Sequence, residues 1–309
     1  MRDEARERGG RRSGDCEGRW GRGWVGRGIG EVLLGCAMLG AVGGCVRPAA
    51  VGRYARAAGK TAAEFPALAA DMQASCLRFE GYRESRAGTG WFDRGDLEPR
   101  CARRAKAVRR TVAVERVLAG YFTALAGLAD DRVVSYDRSI GQLAGSLEDD
   151  AGLDPEQVRA VADLAAFAAS VATDGYRRSK LTNVIEQQNA NVTVVIDALT
   201  RIVGTDYASI LDVEEAGMEA FYRSALAEGA EGEPLAAILV RDTRDARAEE
   251  LREKRSALAA YVKALAAMKA GHQRLYEGRR DLDARALARE LAGYAAQLEE
   301  LLPALRDAF

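Results

Sequence analysis

The sequence predicts an all-α protein, an antiparallel bundle of six to eight helices, several of them long. Three observations carry this prediction. Ala, Arg and Leu are abundant, aromatic residues make up only 6% and prolines number six, a composition that favours helix. Apolar residues recur three and four apart in block after block, the period of a helix buried along one face. Short clusters of Gly, Pro and Asp separate the blocks, as helix ends require. No self-similar repeat of roughly 20–50 residues is present, which argues against a solenoid.

Met1 to Glu31 mixes arginines with acids and is rich in glycine, so it cannot bury a core and is expected to be disordered. The next stretch, Val32 to Cys45, contains no charge and follows Arg22, Arg27 and Glu31. It has the length of a signal-peptide core, since a membrane span needs about 20 apolar residues. Its end, Val42–Gly43–Gly44–Cys45, resembles the lipobox of bacterial lipoproteins, in which an aliphatic residue and two small ones precede a modified cysteine. The resemblance implies a diacylglyceryl group on the Cys45 thiol, cleavage before Cys45 and acylation of the new amino group. Because Val46 and not Asp follows, it also implies the periplasmic side of the cell envelope, with the outer membrane favoured over the inner. Several acyl chains at ~0.8 kcal/mol per buried CH₂ hold a protein on a bilayer stably. Leu33–Leu34–Gly35–Cys36 fits the same pattern with too little apolar sequence ahead of it. Translation is expected to start later than Met1, near Val25, which N-terminal sequencing of the precursor tests. Residues 1–44 are therefore expected to be a disordered N-terminus and leader, 45–60 a basic lipid-anchored tether or a frayed first turn, and 61–309 the bundle.

A formal net charge of −1 leaves no basic footprint, so no nucleic-acid partner is expected. Of the five cysteines, Cys16 and Cys36 precede the cut and Cys45 takes lipid. Cys76 and Cys101 remain as an even pair in an exported chain, and a bridge between them contributes ~3 kcal/mol on the chain-entropy model. The alternative is two buried free thiols.

Pro66 opens the first expected helix, with Leu68, Met72, Cys76, Phe79 and Tyr82 on one face. The glycines of Ala87–Gly95 make a loop whose Trp91 and Phe92 are either a contact tip or a cap folded onto the core. Cys101, Ala105, Val108, Val112, Val117, Tyr121, Leu125 and Leu128 stripe a second helix, and Val133, Tyr136, Ile140, Leu143 and Leu147 a third. Asp154–Pro155–Glu156–Gln157 is a helix start of capping-box type. At Asp174–Gly175 its helix is expected to kink or divide; the apolar pattern resumes through Leu181, Ile185, Val192, Val195, Leu199 and Ile202, and a separate helix starts at Asp206. Gln188 sits on the seam between Ile185 and Val192, either fixing register or lining a polar pocket with Gln187, Asn189 and Asn191. Pro234 opens a helix of nearly forty residues whose charged middle, Arg241 to Arg255, is either solvated or covered by a partner. Asp283 is expected to cap the last helix, striped by Leu287, Leu291, Tyr294, Leu298, Leu301 and Leu305.

Catalytic patterns are missing. His272 is the sole histidine, lies on a helix seam and has no metal-ligand spacing around it, so it reads as a packing residue. Glu214 and Glu215 are adjacent on a helix and point apart, so they cannot flank one bond. No phosphate-cradling glycine loop or nucleophile elbow occurs. No enzyme, metal or cofactor is expected. The expected function is a lipid-anchored envelope protein that acts through contacts with a partner protein, as scaffold, adaptor or assembly subunit. The alternatives are a periplasmic module holding an apolar or cell-wall ligand near Gln188 and, more remotely, an enzyme of another type.

Overall fold

The helical period dictates long rods, and two pairs of them frame the molecule. The computed structural model describes residues 49–86, 94–130, 153–173, 180–229 and 233–309, all within the unit Gly44–Phe309. Every element among these residues is a helix. α1 (Ala49–Ala62) and α2 (Phe65–Arg86) follow one another across Ala63 and Glu64, and together they line α3 (Arg94–Asp130). Gly52 faces Asp130 while Gly59 faces Ala119, so α1 and α3 are antiparallel. α4 (Pro155–Thr173) packs on α3. α5 (Leu181–Arg201), a π-helical stretch (Ile202–Tyr207) and α6 (Ala208–Gly229) form one unbroken rod. That rod runs antiparallel to α7 (Pro234–Glu277), with Glu186, Asp197 and Asp212 meeting Arg279, Lys269 and Arg255. α8 (Arg285–Asp307) returns along α7 and α1.

Local chemistry explains the element starts. Asp154 and Gln157 cap α4 reciprocally: the Gln157 amide donates to Asp154 Oδ1 at 2.9 Å and the Asp154 amide to Gln157 Oε1 at 3.2 Å. Pro66 and Pro234 occupy first turns, where a missing N–H costs nothing. At the α7–α8 turn a Cβ on Gly278 would lie 2.6 Å from Leu287 Cδ2, so a larger residue there has to push the Leu287 side chain aside. The buried faces then merge into one apolar core: Leu118 and Leu125 of α3, Leu164 of α4, Leu199 of α5, Leu265 of α7 and Leu298 of α8 are all fully buried. Each such side chain contributes about 1.5–3 kcal/mol. α3 is long and apolar enough to cross a membrane, yet 72% of its most apolar window is buried in this core.

Three expectations are corrected. Most of the expected tether is core: in α1, Val51, Tyr54, Ala55, Ala58 and Ala62 are fully buried, because small residues let α1 lie close against α3 while Arg53 and Arg56 face out. No helix begins at Asp206, since the rod passes through Gly204 and absorbs the change of pitch in its π-helical stretch. The N-cap of α8 is Ala284, not Asp283. The leader with Cys45, the loop residues Trp91 and Phe92, and the expected helix from Val133 to Leu147 lie outside the described residues.

Candidate functional site

Polar side chains on the buried faces sort into three groups. The first joins α2, α6 and α7. Arg78 is held by Asp71, at 2.9 Å from its Nη1, and by both oxygens of Glu214. Ser75 donates to Glu214, Tyr207 donates to Asp71, and Lys254 Nζ reaches Asp71 at 3.1 Å and Glu250 at 2.5 Å. Burial alone would raise the Asp71 carboxyl, but hydrogen bonds from Arg78 and Tyr207 outweigh it and hold the group below its ordinary value. Burial likewise opposes the charge on Arg78, and its two carboxylate partners reverse the effect. Asp71 and Arg78, each held in its charged form by the other, are poor proton carriers. This group therefore orders the α2–α6–α7 junction. Glu215 points elsewhere, to Arg255 at 2.7 Å, so the two adjacent glutamates diverge as the helix period requires.

The second group surrounds His272. Tyr121 Oη lies 2.7 Å from His272 Nε2, and His272 Nδ1 lies 2.9 Å from Asn189 Oδ1. Asn189 in turn donates to Gln273 Oε1 at 3.0 Å, so its Oδ1 is the acceptor, and His272 carries its proton on Nδ1 and accepts from the Tyr121 hydroxyl. Burial lowers the imidazole pKa to about 3. His272 is thus a neutral, doubly hydrogen-bonded core residue. Gln188, the residue before Asn189, pairs instead within its own helix, where its Oε1 accepts from Asn191 Nδ2 at 3.0 Å.

The third group is open. A cavity of about 270 Å³ lies between α2, α3 and the π-helical stretch, floored by Met72, Val108, Val114 and Ile210. A second, of about 490 Å³, adjoins it on the side of Ser75 and Phe79. Arg104, Asp206 and Ile210 line both. Asp206 is paired with Arg201 at 3.0 Å, five residues back along the π-helical turn. Arg104 has no hydrogen bond or ion pair among the described residues, and burial lowers its guanidinium from the ordinary value with only Asp206 opposing. Gln188 lines neither cavity.

Cys76 and Cys101 are joined by a disulfide with a Cα–Cα distance of 6.0 Å, tying α2 to the start of α3 beside the second cavity. The charged middle of α7 divides in two. From Glu250 to Arg255 it belongs to the bundle, where Leu251 and Lys254 are buried and Arg255 pairs with α6. Before that it is exposed and largely self-paired, as in Arg244–Asp245 and Arg247–Glu250. Ahead of it, Leu235, Ile238 and Leu239 stand 70%, 50% and 59% exposed on one helical face. Among the described residues, no three His, Cys, Asp or Glu side chains cluster as metal ligands would.

Sequence reasoning missed Arg104 and, for Lys254, the contact with Asp71; the i,i+4 pairing of Lys254 with Glu250 follows from spacing alone. Arg104 does leave a signal, since it sits three residues after Cys101 and four before Val108, a cation on the edge of an apolar stripe. Comparison of the chain with protein-family models, curated proteins and solved structures finds no match.

Proposed function

We propose that the chain is a lipid-anchored protein of the bacterial cell envelope that works by contact with a partner protein. The observation that carries this is the apolar face Leu235–Ile238–Leu239, exposed at the start of α7. Residues at i, i+3 and i+4 form one helical ridge, and charged Arg241 and Asp242 border it as a polar rim. The occupant it suits is a partner presenting an apolar groove or helix face. The Val42–Cys45 leader supports the anchor, and a disulfide suits an oxidising compartment. The test has two parts. Cells fed labelled palmitate are expected to label the wild type and not Cys45→Ala; no label in either refutes the anchor. A photo-crosslinking residue at position 238 is expected to yield one defined adduct in envelopes, lost with Leu235→Glu/Leu239→Glu; an adduct unchanged by those substitutions refutes the surface.

The cavities at Arg104 support a second role on the same chain, a periplasmic binding module for an apolar ligand.

A further inference from the structure

We propose that the cavity between α2, α3 and the π-helical stretch binds a single-chain amphiphile with an anionic head, the head at Arg104 and the chain over Met72, Val108, Val114 and Ile210. The inference rests on the binding-module role and sharpens it to a ligand class.

Three features converge on this chemistry. Arg104 is half-buried between the two cavities and makes no ion pair among the described residues, unlike Arg78 and Arg100, which hold carboxylates nearby. A cation withdrawn from water without a partner is costly, and an incoming anion relieves that cost. The carboxylate nearest in role, Asp206, is already paired with Arg201. Among the described residues around the apolar floor, Arg104 is thus the cation left to meet an anion. The charge selects an anion, and the floor selects a chain.

Size limits the chain. At ~30 Å³ per water-sized group, 270 Å³ holds about nine heavy-atom groups, which fits an octyl chain and excludes a diacyl lipid. The π-helical stretch makes the arrangement possible. Its wide turn brings Ile202 and Asp206 to the cavity while directing Tyr207 into the Asp71 network on the neighbouring face. Such turns in otherwise regular helices recur at functional sites.

The probe is octanoate, compared by titration calorimetry with octanol as its uncharged match and with inorganic phosphate as a head without a chain. The protein is the full chain carrying Cys45→Ala, kept free of detergent. Octanoate is expected to bind at least tenfold more tightly than octanol, and phosphate not to bind measurably. Arg104→Met is expected to abolish the preference for octanoate, Arg104→Lys to retain most of it, and Ala107→Trp, at an exposed lining position, to block both octanoate and octanol. Equal binding of octanoate and octanol overturns the anionic-head assignment and leaves the binding-module role standing. Failure of both to bind overturns both. Octanoate affinity unchanged in Arg104→Met places the head elsewhere and overturns the proposal. If Arg104→Met does not fold by circular dichroism, the octanoate–octanol comparison on the Arg104-containing protein and the Ala107→Trp result decide.

Discussion

Glu115 should make this protein less stable as pH rises through neutrality. It lies on α3 with 1% of its surface exposed, and its Oε1 has no hydrogen-bond partner among the described residues. Burial pushes its carboxyl from 4.5 up to about 8, with Arg116 opposing only weakly. Folding therefore holds a proton that the unfolded chain releases above about pH 4.5. The stabilising contribution is complete below that pH and is lost progressively as pH climbs to about 8. At ~1.4 kcal/mol per pH unit, the loss by pH 7 is about 3 kcal/mol. Glu115→Gln keeps the shape and fixes the group neutral, and any cost of its unmet amide hydrogen bonds is the same at every pH. Urea unfolding of both proteins from pH 5 to 8 is the assay. The stability of Glu115→Gln minus that of the wild type is expected to rise by about 3 kcal/mol between pH 5 and 7.5, whatever its starting value. Other titrating groups cancel in the difference. A difference that stays flat across this window means that Glu115 is ionised in the fold, and the burial argument fails.

Three other predictions test the frame. Reduction, or the pair Cys76→Ser/Cys101→Ser, removes a cross-link spanning 25 residues and is expected to lower stability by ~3 kcal/mol in urea unfolding, whereas identical melts with and without reductant exclude the bridge. Gly293→Ala, with nothing within 4 Å of the new Cβ, is expected to stabilise by ~0.5–1 kcal/mol through helix propensity. Gly271→Ala drives a Cβ to 2.8 Å from Tyr54 Cζ and is expected to destabilise by ~1–3 kcal/mol; the same sign for both glycines in thermal melts counts against the α1–α7 packing. His272, with its pKa lowered to about 3 by burial, stays neutral in the fold, so its contribution is present above about 6.5 and is lost as pH falls towards 3. As the sole histidine it is read directly by imidazole NMR, and a titration near 6.5 in the folded protein refutes its burial.

Much of the fold is legible in the sequence because it depends on local period. The stripes from Pro66 to Tyr82 and from Cys101 to Leu128, the Asp154–Gln157 cap and the long helix from Pro234 all follow from residue spacing. What escapes depends on contacts across the bundle. The α1 segment looks like a basic tether because, Val51 and Tyr54 apart, its core face is built mostly from Gly and Ala, whose burial reflects close approach and not hydrophobicity. Lys254 reads as part of a solvated run, and only the position of Asp71 on α2 draws it inward. His272 was legible as a packing residue, but its hydrogen bonds to Tyr121 and Asn189 come from two other helices and have no sequence signature. The cavity residues are scattered over α2, α3, the π-helical stretch and α6, so no spacing rule unites them.

The π-helical stretch is the exception, for its mark was present. Leu199, Val203, Tyr207 and Leu211 are all fully buried at successive intervals of four. An α-helix of 3.6 residues per turn drifts off a face read in fours, so three such intervals in a row call for a wider turn at that point. Widening the turn has two consequences at once. Tyr207 is delivered to Asp71, completing a network in which the ionised groups are neutralised by one another. Asp206 is delivered to Arg201 instead of Arg104, which leaves a cation beside an apolar cavity with no carboxylate of its own. A straight helix would lack the register that satisfies Asp71, and the pitch that closes one polar group is therefore the same feature that keeps the neighbouring one open.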